Sequence, residues 1–132
     1  MRSKSRTLTE RELEIMKIVW ERKTATVRDV YETLLKRRKI AYTTVMTMMN
    51  ILEEKKHLKK RVRAADDRAY VYEAARPRQQ VIRAMVREFV NRVFNGAAEP
   101  LLVHLVREGQ VSESDLKKIS RALRAGREGE RP

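Results

Sequence analysis

Cysteine is absent from the 132-residue chain, which excludes disulfide frameworks, thiolate metal sites and cysteine nucleophiles together. Histidine occurs only as His57 and His104. His104 and Glu108 stand one helical turn apart, but a single pair at that spacing reads as a surface contact rather than a metal site. With four glycines and three prolines, the chain holds no glycine-rich phosphate loop and no nucleophile motif. The adjacent acids Asp66 and Asp67 fall at a turn, where carboxylates favour local backbone hydrogen bonds over acid–base work. No hydrophobic run approaches the length of a membrane span. The basic segment from Met1 to Thr7 is not followed by the apolar stretch of a signal peptide. The expectation is a cytoplasmic protein with no enzymatic activity, no cofactor, no metal and no membrane partner.

Acidic residues are the other scarcity. Against 31 Lys and Arg there are 18 Asp and Glu, giving a formal charge of +13. Small soluble domains carry roughly 2–8 net charges, so the excess favours polyanionic partners such as nucleic acid or an acidic membrane surface. Residues 1–76 hold 20 basic and 11 acidic side chains, so most of the excess lies there. The hydrophobic fraction of 42% is enough for a core.

Local signals divide the chain into elements. Thr9 and Glu12 form the capping-box pattern of a first helix, with Leu8 and Leu13 at the staple positions; Leu13, Met16 and Trp20 follow at helical spacing, and the helix should end near Lys23. Thr26 and Asp29 repeat the cap, and Val27, Val30, Tyr31, Leu34 and Leu35 give an amphipathic stripe. The run Lys36-Arg37-Arg38-Lys39 reads as a solvated face. A third helix is predicted over Ile40 to Lys56, with Val45, Met48, Met49 and Leu52 on its core side. Two strand-like segments, Leu58 to Ala64 and Ala69 to Ala74, flank a polar tip, as a wing hairpin would. Beyond Pro77 a long helix runs from Arg78 to Asn95-Gly96, a shorter one ends at Gly109, and Ser112 with Asp115 caps a last helix that Gly126 should stop.

The third helix carries the functional signal. Thr43, Thr47 and Asn50 lie opposite its core stripe, with Thr44 and Met46 on the flanks. Short donors and acceptors without bulk suit the reading of base edges in a major groove. Thr43 and Thr44 also have the chemistry of helix caps. Downstream, Lys55, Lys59, Lys60, Arg61, Arg63 and Arg68 lie where a wing meets the sugar–phosphate backbone. Tyr70 and Tyr72 read as sheet packing rather than base-stacking platforms. The C-terminal helices carry more large apolar residues than three such helices can bury among themselves. Ile82, Met85, Phe89, Val93, Leu101, Leu102, Leu105, Leu116, Ile119 and Leu123 are therefore expected in a dimer interface.

Four segments resemble the penicillinase-repressor (BlaI/MecI/CopY) family of bacterial transcription factors. They are Leu8-Thr9-x-x-Glu12-x-x-Ile15-Met16-x-x-Val19-Trp20, Ala41-Tyr42-Thr43-Thr44-Val45-x-Thr47, Asp67-Arg68-Ala69-Tyr70-x-Tyr72 and Asn91-Arg92-Val93-Phe94-Asn95-Gly96. The likeness runs in order from Leu8 to Leu123. It implies a dimeric winged-helix repressor of a palindromic operator, with Thr44 and Thr47 facing bases, and Thr43 and Tyr42 near the backbone. It also implies release by a sensor protease in response to β-lactam or stress. Alignment on Leu101-Leu102-Val103 places His104-Leu105 at the cleaved bond, where the family has asparagine before a bulky residue. Ile51 stands where an arginine is usual, and His57 where a glycine usually caps the helix. The copper-responsive relatives end in a cysteine-rich site that this chain cannot build.

The resulting expectation is an α+β protein: a winged helix-turn-helix DNA-binding domain over residues 1–75, an all-α dimerisation domain over 76–126, and a disordered tail over 127–132. A nonspecific nucleoid- or RNA-associated basic protein is the alternative, and a protein-binding adaptor a third. Operator preference over bulk DNA of about 10³-fold or more would separate the first from the second.

Overall fold

In the computed structural model the described residues are 7–64 and 67–130; of 62–64, 67–68 and 127–130 only the backbone is described. Six helices and three strands follow in the order α1 (Glu10–Arg22), β1 (Thr24–Ala25), α2 (Val27–Leu35), α3 (Tyr42–Glu54), β2 (Leu58–Ala64), β3 (Asp67–Ala74), α4 (Arg78–Phe94), α5 (Glu99–Arg107) and α6 (Glu113–Glu130). The strands form an antiparallel sheet in the order β1-β3-β2. Packing divides the chain into two units, Met1–Val86 and Arg87–Pro132.

Local chemistry starts the helices as the sequence suggests. The Thr9 hydroxyl accepts from the Glu12 amide at 3.1 Å while the Glu12 carboxylate accepts from the Thr9 amide at 3.0 Å. Thr26 and Asp29 make the same reciprocal pair at the start of α2, and Ser112 and Asp115 at the start of α6. The start of α3 is different: its N-cap is Ala41, with no side-chain cap. Thr43 and Thr44 therefore sit inside the helix and are not its caps.

The C-terminus of α3 closes by a Schellman arrangement. The Lys56 amide donates to the Glu53 carbonyl at 3.0 Å and the His57 amide to the Leu52 carbonyl at 2.9 Å. The left-handed residue is Lys56, with φ of 69°. The glycine-like position is thus Lys56 rather than His57, which is buried. α5 ends the same way with Gly109 at φ 77°. Gly126, in contrast, does not stop α6, which continues through it to Glu130. Glycine weakens a helix interior by about 1 kcal/mol but ends one only where the backbone turns left-handed. The stretch 127–130, read as a frayed tail, extends this helix; 131–132 lie outside the described residues.

The core of the first unit joins Ile15, Met16 and Val19 of α1 to Val30 and Leu34 of α2, Val45, Met49 and Leu52 of α3, and Leu58 and Tyr72 of the sheet. β1 was not legible in the sequence, because two residues show no period; Ala25 is nevertheless buried opposite Tyr72. Val81 completes this core and Met85 packs against it. The start of α4 therefore belongs to the winged helix, although the sequence reading places the division at 75/76. The second unit has little interior: among its described side chains Val90 alone is buried, while Phe89, Leu102, Ile119 and Leu123 are 40–59% exposed.

Candidate nucleic-acid interface

α3 is apolar on one side and open on the other. Val45, Met49 and Leu52 are fully buried, so the opposite strip is set by helical geometry. Thr43, Thr44, Thr47 and Asn50 are exposed on it, with Met46 and Tyr42 beside them. Ile51 is half-buried on the far flank. Asn50 is not free-standing: its Oδ1 accepts from the Tyr72 hydroxyl at 3.4 Å, which turns this side chain toward the sheet. The Tyr42 ring meets the edge of Tyr31 at 5.4 Å between centroids, and the Arg28 guanidinium lies 5.6 Å from its centre. Arg28 and Tyr31 thus shape the approach to α3, a role that no local pattern in α2 announces.

The wing is basic, but its cations do different things. Strand register sets Lys59 opposite Glu73 and Lys60 opposite Tyr72. Lys59 and Arg61 share one face and both reach Glu73, at 3.5 and 3.1 Å, while staying more than 60% exposed. The hydrogen bond from Arg61, then that from Lys59, holds the Glu73 carboxyl below its ordinary value. Lys60 points the other way. Its ammonium lies 3.5 Å from Glu53 of α3, 4.7 Å from the Tyr70 ring centre and 5.9 Å from that of Tyr72. Tyr72 and Glu53 hold this ammonium above its ordinary value, and burial raises the Tyr72 hydroxyl in turn. Tyr72 is sheet packing as expected, whereas Tyr70 is half exposed on the groove beside α3. Arg63 and Arg68 lie on β2 and β3, with side chains outside the described residues; Asp66 lies wholly outside them.

Lys55 departs from the sequence reading. Its Nζ lies 2.8 Å from Glu12 Oε1 and also donates to the Thr7 carbonyl at 3.5 Å. With side chains only 20% and 8% exposed, Lys55 and Glu12 form a sheltered ion pair joining the end of α3 to the start of α1. Burial pushes the Glu12 carboxyl up, but the hydrogen bonds from Lys55 and the Thr9 amide outweigh it and leave the group below its ordinary value. A lysine held this way is a strut, not a phosphate contact. Part of the Lys36–Lys39 run is also tied down, since Arg37 and Arg38 both pair with Glu14 of α1.

Among the residues expected at a dimer interface, Met85 is corrected by its packing on the first unit's core. Phe89, Val93, Leu102, Ile119 and Leu123 are exposed, and Ile82, Leu101, Leu105 and Leu116 half-buried. His104 and Leu105 lie within α5, with the His104 ring 5.9 Å from that of Phe94. No group of three or more His, Asp or Glu among the described residues could hold a metal ion, and no helix there is long and apolar enough to cross a membrane.

Three helices, a two-stranded wing and a polar strip on α3 define a winged-helix regulator. Solved structures agree on the fold: a mutant MarR from E. coli complexed with operator DNA superposes with a TM-score of 0.53 at 8% identity, over 89% of this chain and 74% of that one. A mutant MepR from S. aureus gives 0.51 at 19% identity, over 94% and 81%. The chain belongs to the penicillinase repressor family, whose profile matches residues 8–125. It is 37% identical over 121 residues to the transcriptional regulator BlaI of Mycobacterium tuberculosis, covering 89% of this chain and 85% of that protein. The penicillinase repressor of Bacillus licheniformis is 23% identical, covering 88% of each. The family is one of transcriptional repressors, not enzymes.

Proposed function

We propose that this protein represses transcription as a homodimer, laying α3 of each copy into the major groove of one half of a palindromic operator. The observation that carries the reading is the strip of Thr43, Thr44 and Thr47, exposed on a helix whose other side is fully buried. Short hydroxyl side chains held rigidly at that distance from the backbone can reach base edges and thymine methyls. Lys59 and Arg61, together with the backbone-placed Arg63 and Arg68, are the residues for the sugar–phosphate backbone. Work on an operator places the protein in the cytoplasm, where bacterial DNA lies.

The dimer follows from the second unit, whose helices leave Phe89, Leu102, Ile119 and Leu123 in water. A second copy is the partner that a palindrome requires, and a closed two-fold pairing buries the same patch on both sides. Sedimentation as a monomer at micromolar concentration would remove this part of the reading.

The test of base reading uses the tightest duplex selected from a random 30-base-pair library. Thr47→Ala should weaken its binding by about 1–2 kcal/mol while leaving thermal unfolding unchanged. A dimer that neutralises about eight phosphates should show a slope of log K against log salt near −7. Equal affinity of variant and parent would remove the base-reading strip, and selection that enriches no sequence would favour a nonspecific basic protein.

A further inference from the structure

The wing's middle lysine faces away from its neighbours. Lys59 and Arg61 stand on the outer face of the hairpin around Glu73, while Lys60 stands on the inner face, only 32% exposed, between α3 and the two tyrosine rings. Directly opposite Lys60 in the strand register is Tyr72, whose hydroxyl donates to Asn50. The hairpin is therefore tied to α3 at two points on one face, Lys60 to Glu53 and Tyr72 to Asn50. Glu53 and Asn50 lie one turn apart on α3, so the two ties resist rotation of the wing about the helix better than either alone. Tyr70, half exposed at the edge of the same groove, is held by the Lys60 ammonium over its ring.

We propose that Lys60 is a positioning residue that sets the pitch of the wing against α3, and is not a contact to DNA phosphate. This rests on the operator-binding reading above. Its consequence is that Lys60 governs sequence preference through the placement of Asn50 and the wing, whereas Lys59 and Arg61 govern the electrostatic part of affinity. Simple counting of wing cations would treat all three as equivalent. The alternation of the strand makes them different.

Salt dependence separates the two roles. Binding of the selected duplex and of a scrambled one is measured across a salt series for the parent, Lys59→Met, Lys60→Met, Lys60→Arg and Glu53→Gln. Lys59→Met should flatten the slope by about 0.9, the loss of one phosphate, and leave the ratio of selected to scrambled binding unchanged. Lys60→Met should leave the slope unchanged and lower that ratio about three- to fivefold, the scale of one lost cross-strand contact. Lys60→Arg, which keeps the ring stacking and the pair to Glu53, should restore the ratio. Glu53→Gln reaches the same tie from α3 and should lower the ratio as Lys60→Met does. If Lys60→Met flattens the slope as Lys59→Met does with the ratio intact, Lys60 is a phosphate contact and the proposal is wrong. A parent that binds selected and scrambled duplexes alike would overturn the operator reading itself, and this proposal with it.

Discussion

Replacing Lys55 by methionine separates a strut from a DNA contact. Methionine keeps the length and apolar stem of the side chain, so the change removes the ammonium and little packing. It leaves the Glu12 carboxylate, 8% exposed, with only its cap hydrogen bond from Thr9. Stranding one member of a buried ion pair costs about 3–5 kcal/mol. Because Lys55 keeps a fifth of its side chain in water, about 2–3 kcal/mol is the expected loss. With a urea slope of about 1.5 kcal/mol/M, the unfolding midpoint should fall by roughly 1.3–2 M. The pH dependence has a definite sign. In the parent the Glu12 carboxyl lies below its ordinary value of 4.5, so the pair stabilises above that pH and the contribution is lost as pH falls through the folded-state value. In the variant, burial without a partner raises the group, which destabilises the fold near neutral pH and ceases to do so once the carboxyl is protonated in both states. The deficit should therefore be largest near pH 7 and shrink in acid. Adding Glu12→Gln to Lys55→Met should recover most of the loss, since glutamine still accepts from the Thr9 amide and carries no charge. A variant as stable as the parent that binds DNA with a flatter salt slope would return Lys55 to the DNA interface.

Other expectations follow from the same geometry. Lys56→Gly relieves a left-handed side chain at the end of α3 and should stabilise the fold by about 0.5–1 kcal/mol in urea unfolding; a loss would show that the Lys56 side chain contributes more than the strain removes. A fragment of residues 1–86 keeps Val81 and Met85 in the core and should melt cooperatively, at a higher temperature than residues 1–75, because burying a valine is worth about 1.5–3 kcal/mol. Equal melting temperatures would put α4 outside the winged helix. For the His104–Leu105 bond, slow scission by a β-lactam sensor protease of the family is expected, since histidine replaces asparagine there. Efficient cleavage at that bond, followed by intact mass, would refute this and establish the proteolytic route of release.

Local physics made much of this protein readable from its residues. Thr9 with Glu12, Thr26 with Asp29 and Ser112 with Asp115 announce helix starts within four residues, because a cap is satisfied by its own backbone. The stripe Val45, Met48, Met49 and Leu52 orients α3 by periodicity alone, and with it the threonine strip on the other side. The charge excess in the first 76 residues indicates a polyanionic partner without any fold. Tertiary structure decided what each cation does. Lys55 meets Glu12 across 43 residues, and nothing within a turn of either marks the pair. Lys60 differs from Lys59 and Arg61 only through strand alternation and the placement of Glu53 beside the sheet. β1 exists because β3 presents an edge to two residues that have no strand pattern of their own. Met85 has the same apolar character as its neighbours on α4, and only the packing of the helix start against the winged-helix core assigns it there. A side chain's type and spacing settle its secondary structure and its face, because those are short-range; its partner depends on which distant segment the fold brings within a few ångströms.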